Sequence, residues 1–354
     1  MAEKVLMKGN EALAEAAIQA GCRHFFGYPI TPQTELAAYM AKKMPKVGGL
    51  FMQAESEVAA INMVYGAAGA GARVMTSSSS PGISLKSEGI SYIAGADLPC
   101  VIINIVRGGP GLGGIQPAQS DYFQATKGGG HGDYHMIVLA PSSVQEMVDL
   151  MSLAFDLGDI YRMPVMVMGD GMLGQMMEPI SFENVKRREV PEKTWATTGT
   201  KMKRKKNIIN SLYITPDELE VLVWEREKRY QKIKEKEVMV ETYQTEDADY
   251  VIAAYGTTAR IAKNAIAELR EEGIKVGLIR PITLWPFPEK AFKEAARQAK
   301  AFLSVEMSTG QMVEDVRLAV NGAKPVYFFG RTGGMVPSPA EIIAKIKEID
   351  GGVK

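Results

Sequence analysis

The sequence predicts an α/β protein with two sheet-containing domains, and three observations carry this prediction. Apolar runs of strand length alternate with helical patterns along most of the chain, as in parallel or mixed sheets covered by helices on both faces. Glycine, proline and serine clusters separate these runs, and 354 residues exceed what one ordinary hydrophobic core serves. Several apolar runs also end in polar residues, and α/β proteins bind ligands at the carboxyl ends of parallel strands.

Charge and hydropathy exclude several classes of protein. The 41 Lys and Arg residues equal the 41 Asp and Glu residues, so no net charge favours nucleic acid or an anionic membrane as a partner. The longest apolar runs, such as 101–106, are too short to span a membrane, and we expect no signal peptide in the charged segment 1–10. Cys22 and Cys100 cannot form a disulfide framework or a four-cysteine cluster, which favours a reducing cytoplasm.

The first polar strand end is a loop bounded by two prolines. A helix over 11–20 and a strand over 24–28 precede this loop, and a helix over 33–42 follows it. The loop consists of Pro29, Ile30, Thr31 and Pro32. Proline restricts its own backbone and that of the residue before it, so the loop is extended and stiff. Thr31 is therefore either part of a rigid turn or a pre-organised hydroxyl beside a ligand.

Two carboxylates stand at the start of a helix of small residues. A strand over 48–52 leads to Glu55 and Glu57, and Ser56 between them is the expected N-cap of the helix. Apolar residues then recur at helical spacing, while alanine and glycine keep the other faces thin. The two carboxylates either only complement the helix dipole, or one of them serves a ligand; the pattern alone leaves both open.

Two further apolar runs end in polar segments. The strand over 73–76 leads into a predicted hydroxyl-rich turn over 77–82, and after a helix over 83–94 the strand over 100–106 ends at Arg107. Arginine in this position suits a clamp for a carboxylate or phosphate, because guanidinium binds oxyanions through two parallel hydrogen bonds. A surface or inter-subunit ion pair is the alternative.

Two glycine motifs are weaker. The segment 109–114 spells the G-x-G-x-x-G of dinucleotide-binding loops, but Pro117 interrupts the helix that should follow. A strand over 137–139 and a helix over 144–157 come next. The Gly-Asp-Gly around Asp170 then follows a strand over 165–168 and lacks the later asparagine of a magnesium–diphosphate motif. We interpret it as a strand end and predict no metal site on this chain.

The alternation of strands and helices breaks down between 178 and 247. A basic run over 201–206 is most simply a solvated linker, with a phosphate-binding patch as the alternative. A charged helix over 217–236 presents a narrow apolar stripe, formed by Leu219, Val223, Trp224 and Tyr230. This region therefore marks a boundary between domains.

The remaining residues alternate as β-α-β-α-β-α-β. The predicted strands cover 250–255, 276–279, 302–305 and 326–329. The predicted helices cover 259–272, 290–299, 312–319 and 340–349, and a stiff proline-rich loop covers 281–288. Elements of these lengths predict a second parallel or mixed sheet with helices on both faces.

Four of these segments occur in an order and spacing that resemble one protein family. They are Tyr28-Pro29-Ile30-Thr31-Pro32, Glu57 with the alanine-rich helix behind it, the turn ending at Pro81-Gly82, and Arg107. Together they resemble the alpha-type subunit of the thiamine-diphosphate-dependent 2-oxoacid:ferredoxin oxidoreductases. Among these, the chain is most similar to the subunits that act on 3-methyl-2-oxobutanoate (2-ketoisovalerate).

The resemblance covers nearly the whole chain and implies three segments. Residues 1–184 would form the pyrimidine-binding thiamine-diphosphate domain, and 185–246 a linker or insert that contains the charged helix. Residues 247–354 would form a transketolase C-terminal-like α/β domain, because the run 280–288 resembles that domain.

The resemblance also implies a role for each candidate residue. Glu57, by its distance from Tyr65 and Gly66, matches the glutamate that hydrogen-bonds the aminopyrimidine of the cofactor and promotes loss of the thiazolium C2 proton. Glu55 then has a structural or solvent role. Thr31 matches a position beside the substrate carbonyl, and Arg107 matches the arginine that holds the substrate carboxylate. The implied cofactor pocket comprises Glu57, Pro29, Ile30, Thr31, Ser79, Pro81 and Gly82.

The family reaction is the oxidative decarboxylation of a 2-oxoacid with coenzyme A, which yields acyl-CoA, carbon dioxide and reduced ferredoxin. The resemblance implies that this chain shares thiamine diphosphate with a beta-type subunit, which would hold Mg²⁺ and an iron–sulfur cluster. A gamma-type subunit and a ferredoxin-like delta subunit would complete the complex, with external ferredoxin as acceptor.

Several alternatives stay open. The substrate can be 2-oxoglutarate or pyruvate instead, and the reaction can run as oxidation or as reductive carboxylation. A self-contained NAD-dependent oxidoreductase and a non-catalytic scaffold subunit are remote alternatives, because the glycine motif lacks its context while Thr31, Glu57 and Arg107 are all retained.

Overall fold

The computed structural model describes residues 4–183 and 185–352, so residue 184, at the expected domain boundary, lies outside the described residues. The strands of the first half are β1 (Val5–Lys8), β2 (His24–Gly27), β3 (Leu50–Gln53), β4 (Val74–Ser78), β5 (Cys100–Val106), β6 (Ile137–Leu139), β7 (Pro164–Asp170) and β8 (Met177–Ile180). Its helices are α1 (Gly9–Gln19), α2 (Thr34–Lys43), α3 (Glu57–Gly69), α4 (Ser80–Gly95), α5 (Tyr122–Thr126), α6 (Val144–Tyr161) and α7 (Gly171–Gln175). A short 3-10 helix, Met44–Val47, follows α2.

The second half begins with a long helix. Its helices are α8 (Pro216–Lys236), α9 (Gly256–Glu271), α10 (Glu289–Ala295), α11 (Met312–Val320) and α12 (Pro339–Gly352). Its strands are β9 (Val240–Tyr243), β10 (Tyr250–Ala253), β11 (Val276–Pro281), β12 (Thr283–Trp285), β13 (Ala301–Glu306) and β14 (Val326–Gly330).

The strands form two large sheets and one small antiparallel pair. The larger sheet has seven strands in the order β12-β6-β7-β5-β4-β2-β3, and all of them are parallel except β12. The second sheet has the order β14-β13-β10-β11-β9, and only β9 is antiparallel. Strands β1 and β8 pair separately. The α/β alternation predicted from the sequence therefore holds in both halves.

The proline-rich run 281–288 contains a strand, which the sequence did not predict. Strand β12 adds to the edge of the first sheet, where Thr283 pairs with Leu139 and Trp285 with Val138. Trp285 also stacks on His135, with ring centroids 4.5 Å apart. The prediction of a plain loop was wrong because a strand of three residues is too short to show periodicity.

The predicted hydroxyl-rich turn over 77–82 was also wrong. Strand β4 continues through Ser78, helix α4 begins at Ser80, and only Ser79 lies between them. Ser77 and Ser78 pair with Ile103 and Asn104 of the neighbouring strand. Serine has a weak strand propensity, but the ladder with β5 overrides it at these two positions.

Helix α8 buries a different face from the predicted apolar stripe. Leu219 and Trp224 are exposed, Val223 is half-buried, and only Tyr230 of the stripe is buried. The buried face is formed by Arg226, Tyr230 and Ile233. Arg226 can be buried because its Nε donates to Oδ1 of Asp97 at 3.1 Å, which neutralises the guanidinium.

Polar contacts join the two sheets. Nε2 of Gln119 donates to the carbonyl of Tyr255 at 2.9 Å. Arg280 donates to both carboxylate oxygens of Glu146 and, through Nε, to Glu241. Within 4–183 and 185–352, no helix combines the length and the apolar character needed to cross a membrane.

Candidate functional site

Four segments that the sequence marks as candidates meet at one edge of the larger sheet. Strands β5, β4, β2 and β3 lie side by side in that order and run parallel. Their carboxyl ends lead to Arg107, Ser79, the Thr31 loop and Glu57, respectively. The alignment of strand ends, which no local pattern records, brings these residues together.

Glu57 is a buried carboxylate at the start of α3, and only 6% of it is exposed. The preceding Ser56 caps the helix, because its hydroxyl accepts a hydrogen bond from the amide of Ala59 at 3.1 Å. The Glu57 carboxylate accepts no hydrogen bond from any residue that the structure describes. Glu55, in contrast, is exposed. A buried carboxylate without a donor is costly, so Glu57 suits a ligand that supplies one.

Helix α4 brings its first turn against Glu57 because residue 82 has no side chain. A Cβ on Gly82 would lie 2.7 Å from Oε1 of Glu57 and 2.0 Å from Oγ of Ser78. The hydroxyls of Ser78 and Ser79 are buried and lack a hydrogen-bond partner in the described part of the chain. Pro81 lies in the same turn and is half-buried. The free carboxylate of Glu57 and the free hydroxyl of Ser78 thus lie against a point where only backbone fits.

Arg107 is a buried cation held by backbone carbonyls. It is 6% exposed, and its Nη1 and Nη2 donate to the carbonyls of Thr31 and Leu112, each at 2.9 Å. Its Nε is buried and unpartnered. Among the described residues no carboxylate lies within 4.0 Å of the guanidinium, so the alternative of a surface ion pair is wrong, while an inter-subunit ion pair stays an alternative. A buried guanidinium without an acid suits an anionic ligand.

The proline-bounded loop is fixed from beneath. The Oε1 of buried Gln33 accepts a hydrogen bond from the hydroxyl of Ser77 at 2.6 Å. Nδ2 of Asn10 donates to the carbonyl of Pro32 at 2.8 Å. The loop leaves Pro29 and Thr31 exposed and Ile30 half-buried. The carbonyl of Thr31 meets Arg107, while its side chain is open to a ligand or a partner.

The structure adds two ionisable groups that the sequence did not mark, one fully buried and one half-buried. Lys86 lies on α4 and is fully buried. Asp121 lies near the start of α5, and burial raises the pKa of its carboxyl. Lys86 carried a local signal, because it lies three residues after Ile83 and four before Ile90, on the face that an amphipathic helix buries. Asp121 had no such signal in the sequence, because it lies in an irregular segment.

A cleft of about 1030 Å³ opens beside these residues. Its lining includes Ser80, Pro81 and Asp121, together with Met307 and Ser308, which follow β13. Its volume is in the range of pockets that hold organic ligands. The cleft borders the loop after Arg107 but is not lined by Arg107, Glu57 or Thr31.

The glycine motif over 109–114 does not form a nucleotide-binding turn. Arg107 and Pro117 form a β-bridge, and the amide of Gly114 donates to the carbonyl of Gly108 at 3.0 Å, so the loop folds back on itself. The next helix in the described chain begins only at Tyr122. A dinucleotide site needs a helix N-terminus directly after the glycines, so this geometry argues against one.

Asp170 ends β7, as expected, and caps the helix that follows. Its Oδ1 accepts hydrogen bonds from the amides of Met172 and Leu173 at 2.9 and 3.2 Å. Its Oδ2 accepts one from the hydroxyl of Thr257 at 2.6 Å, which links the two sheets. Over the described ranges, no group of three or more His, Cys, Asp or Glu side chains is arranged to hold a metal ion.

Comparison with known proteins identifies the family. Residues 15–268 match the model described as "Pyruvate flavodoxin/ferredoxin oxidoreductase, thiamine diP-bdg". The "Ketoisovalerate oxidoreductase subunit VorB" of Methanothermobacter marburgensis is 50% identical over 346 residues, which cover 98% of each chain. The chain belongs to the 2-oxoacid:ferredoxin oxidoreductase family. Residues 248–342 of this oxidoreductase subunit also match "Pyruvate:ferredoxin oxidoreductase core domain II".

Solved structures support the same assignment. One is the "2-oxoglutarate:ferredoxin oxidoreductase from Magnetococcus marinus with 2-oxoglutarate, coenzyme A and succinyl-CoA bound". It is 29% identical with a TM-score of 0.89, and the match covers 98% of this subunit but only 65% of that chain. A "Split gene transketolase, inactive beta4 tetramer" is 15% identical with a TM-score of 0.62, over 98% and 99% of the two chains. These likenesses confirm the predicted fold class of a thiamine-diphosphate-binding fold with a transketolase-like domain.

Proposed function

We propose that this chain is the alpha-type subunit of an enzyme that oxidatively decarboxylates 3-methyl-2-oxobutanoate. The reaction consumes the 2-oxoacid, coenzyme A and two oxidised ferredoxins, and yields the acyl-CoA, carbon dioxide, a proton and two reduced ferredoxins. One observation carries this proposal. Two buried and oppositely charged groups, Glu57 and Arg107, stand at the same sheet edge without a counter-ion within 4.0 Å among the described residues.

The residues at this edge fit the pyrimidine half of thiamine diphosphate. The carboxylate of Glu57 is free to share a proton with a ring nitrogen, and the buried hydroxyls of Ser78 and Ser79 are free to bond polar ring atoms. Gly82 lets the first turn of α4 lie directly against the Glu57 carboxylate. When bound, thiamine diphosphate supplies the carbon nucleophile and the electron sink that decarboxylation of a 2-oxoacid requires.

Residues of this chain have separate roles in the reaction. Glu57 holds a proton between its carboxylate and the pyrimidine nitrogen, which a neutral amide could not do. Arg107 binds the carboxylate of the 2-oxoacid through charge-assisted hydrogen bonds, and the carbonyls of Thr31 and Leu112 fix the plane of its guanidinium. Thr31 lines the reacting carbonyl, and Pro29, Ile30, Ser79 and Pro81 complete the pocket walls.

Partner subunits would supply the rest of the enzyme. The elements that carry the site also expose large apolar side chains, and exposed apolar surface fits a protein interface; these side chains are Tyr28, Met52, Val58, Leu85 and Tyr92. We propose that a beta-type subunit covers this surface and contributes the diphosphate site, Mg²⁺ and an iron–sulfur cluster. Gamma-type and ferredoxin-like delta subunits would complete a cytoplasmic complex that reduces external ferredoxin.

The substrate assignment is supported by the relative named for ketoisovalerate, which is 50% identical. The alternative substrate, 2-oxoglutarate, is supported by the neighbouring structure from Magnetococcus marinus, and pyruvate by the name of the matching family. Turnover of the purified complex with 3-methyl-2-oxobutanoate, 2-oxoglutarate and pyruvate distinguishes them. We expect the highest kcat/KM for the branched substrate, and a higher value for either other acid would refute that assignment.

The role of Glu57 is tested with Glu57→Gln in the reconstituted complex. The amide keeps the size of the side chain but cannot take up the proton, so exchange of the C2 proton of bound thiamine diphosphate should be lost. Hydrogen exchange at C2 is measured by NMR after rapid quenching. Glu55→Gln is the matched control, because Glu55 is exposed, and its exchange should equal that of the wild type. Exchange at the wild-type rate in Glu57→Gln would refute the proposed role of Glu57.

A further inference from the structure

Lys86 is a fully buried lysine beside the candidate cofactor site, and the proposed function does not use it. None of its surface is exposed. Burial penalises the charged form of an amine strongly, so a lysine in this position needs partners that stabilise its ammonium. Its surroundings indicate which group it serves.

The packing of α3 against α4 places Lys86 next to Glu57. A Cβ on Gly82 would lie 2.7 Å from Oε1 of Glu57, and a Cβ on Gly89 would lie 2.5 Å from Cγ2 of Ile61. Glu57 and Ile61 lie one turn apart on α3, and Gly82 and Gly89 lie two turns apart on α4. Residues four apart share a helix face, so Lys86, four after Gly82, lies between these two contacts.

The ammonium of Lys86 is anchored but not neutralised. Its Nζ donates to Oγ1 of Thr76 at 2.9 Å and to the carbonyl of Ser77 at 3.0 Å. Both acceptors are neutral and belong to β4. Two of the three N–H donors of a lysine are therefore used, and none of the described carboxylates lies within 4.0 Å of Nζ.

One charged group acts on Lys86 across this contact. Burial lowers the pKa of the Lys86 ammonium to about 7, and the carboxylate of Glu57 on α3 acts in the opposite direction. On α4 itself, Glu88 is on the exposed side and is bonded to Tyr92. Glu57 and Lys86 are thus opposite charges on two helices that pack together, and the carboxylate of Glu57 favours the charged form of Lys86.

We propose that Lys86 is a positioning residue whose positive charge supports the carboxylate of Glu57 as it shares a proton with the pyrimidine of thiamine diphosphate. This inference rests on the proposed function, because it requires that Glu57 face the pyrimidine. With a cation beside it, Glu57 enters cofactor binding as a carboxylate, and the shared proton comes from solvent. Without that cation, the carboxylate of Glu57 loses its electrostatic partner.

The test compares the wild-type complex with Lys86→Met, which keeps the length of the side chain and removes the charge. Calorimetric titration with thiamine diphosphate, in buffers of different ionisation enthalpy, measures proton uptake on binding. Exchange of the C2 proton of the bound cofactor is measured from pH 5 to 9. We expect Lys86→Met to change proton uptake on binding and to raise the half-maximal pH of exchange by about one unit, which slows exchange by up to about tenfold on the acid side of the profile.

Two further variants make the result decisive. Lys290→Met is the matched control, because that lysine is 89% exposed and lies in α10, and it should behave as the wild type in both measurements. Thr76→Val keeps the lysine but removes one acceptor of its ammonium, so it should shift both measurements in the same direction by a smaller amount. If Lys86→Met does not assemble, Thr76→Val decides the question.

The outcomes separate this inference from the proposed function. If the wild-type complex binds no thiamine diphosphate, or if Glu57→Gln exchanges the C2 proton normally, the proposed function fails and this inference fails with it. If both of those results are as expected but proton uptake and the pH profile are unchanged in Lys86→Met, only the role of Lys86 is overturned. A lower melting temperature with an unchanged pH profile would make Lys86 a structural link between α4 and β4.

Discussion

The substitution Gly82→Ala should inactivate the enzyme through a single methyl group. The new Cβ would lie 2.7 Å from Oε1 of Glu57, so the carboxylate must move by about 0.7 Å to reach the 3.4 Å at which ordinary contact begins. A displacement near 1 Å of a reacting group costs up to about 100-fold in rate, so we expect kcat to fall roughly 10- to 100-fold. Overpacking also lowers the free energy of unfolding by about 1–3 kcal/mol.

A second substitution tests whether the loss acts through Glu57. The closest contact of the new Cβ is with Oγ of Ser78, at 2.0 Å. The double variant Gly82→Ala/Ser78→Ala removes this hydroxyl and should recover part of the stability, while the contact with Glu57 and the loss of activity remain. The control is Gly66→Ala on α3, where nothing lies within 4 Å of the new Cβ. That change should raise stability by about 0.5–1 kcal/mol.

The assay is turnover of the reconstituted complex together with C2 proton exchange, with stability measured by chemical denaturation. Turnover of Gly82→Ala within about threefold of the wild type would refute the reasoning, because the Glu57 carboxylate would then tolerate displacement. Full recovery of turnover in the double variant would instead assign the loss to Ser78.

Two further predictions concern Arg107 and Arg280. Arg107→Ala should raise KM for the 2-oxoacid about 30- to 100-fold, because losing a charge-assisted contact costs roughly 2–3 kcal/mol. KM for coenzyme A should change little. An unchanged KM for the 2-oxoacid would show that Arg107 does not bind the substrate carboxylate. Arg280→Met should lower the free energy of unfolding at pH 7 by about 2 kcal/mol, since it leaves Glu146, whose side chain is 30% exposed, without its partner. Burial alone would raise the pKa of Glu146, but the hydrogen bonds and charge of Arg280, together with hydrogen bonds from Ser142, hold that pKa below the usual 4.5. The stabilisation is therefore present above pH 4.5 and is lost as the pH falls through the lower, folded-state pKa. The difference in free energy of unfolding between Arg280→Met and wild type, measured with denaturant, should therefore be smaller at pH 3 than at pH 7. An equal difference at the two pH values would contradict this prediction.

Local sequence pattern predicted the structure correctly where the features that determine it lie within one segment. Ser56 was expected to cap α3, and its hydroxyl accepts the hydrogen bond from Ala59. Arg107 was expected directly after a buried strand, and β5 ends at Val106. Such features depend on the period of side chains and on capping chemistry, which act over a few residues and can be read from the sequence.

Local pattern failed where partners come from distant segments. Strand β12 exists because β6, more than a hundred residues earlier, presents an open edge to Thr283 and Trp285. The apolar stripe on α8 was wrong because the buried Arg226 is neutralised by Asp97, which no spacing within the helix records. In both cases a pairing that closes a long loop overrides the preference of the segment itself.

The candidate site shows both what the sequence predicts and what it does not. The sequence by itself determined the alternating α/β architecture, the strand ends that carry polar residues and, through family resemblance, the candidates Thr31, Glu57 and Arg107. Only the tertiary structure decided that Glu57 is buried without a donor and Glu55 is exposed, and that Lys86 reaches β4 from the side of α4 that faces Glu57. The physical reason is that side-chain periodicity states which face of an element is buried, whereas the charge that a buried group meets depends on the neighbours that strand order and helix packing supply.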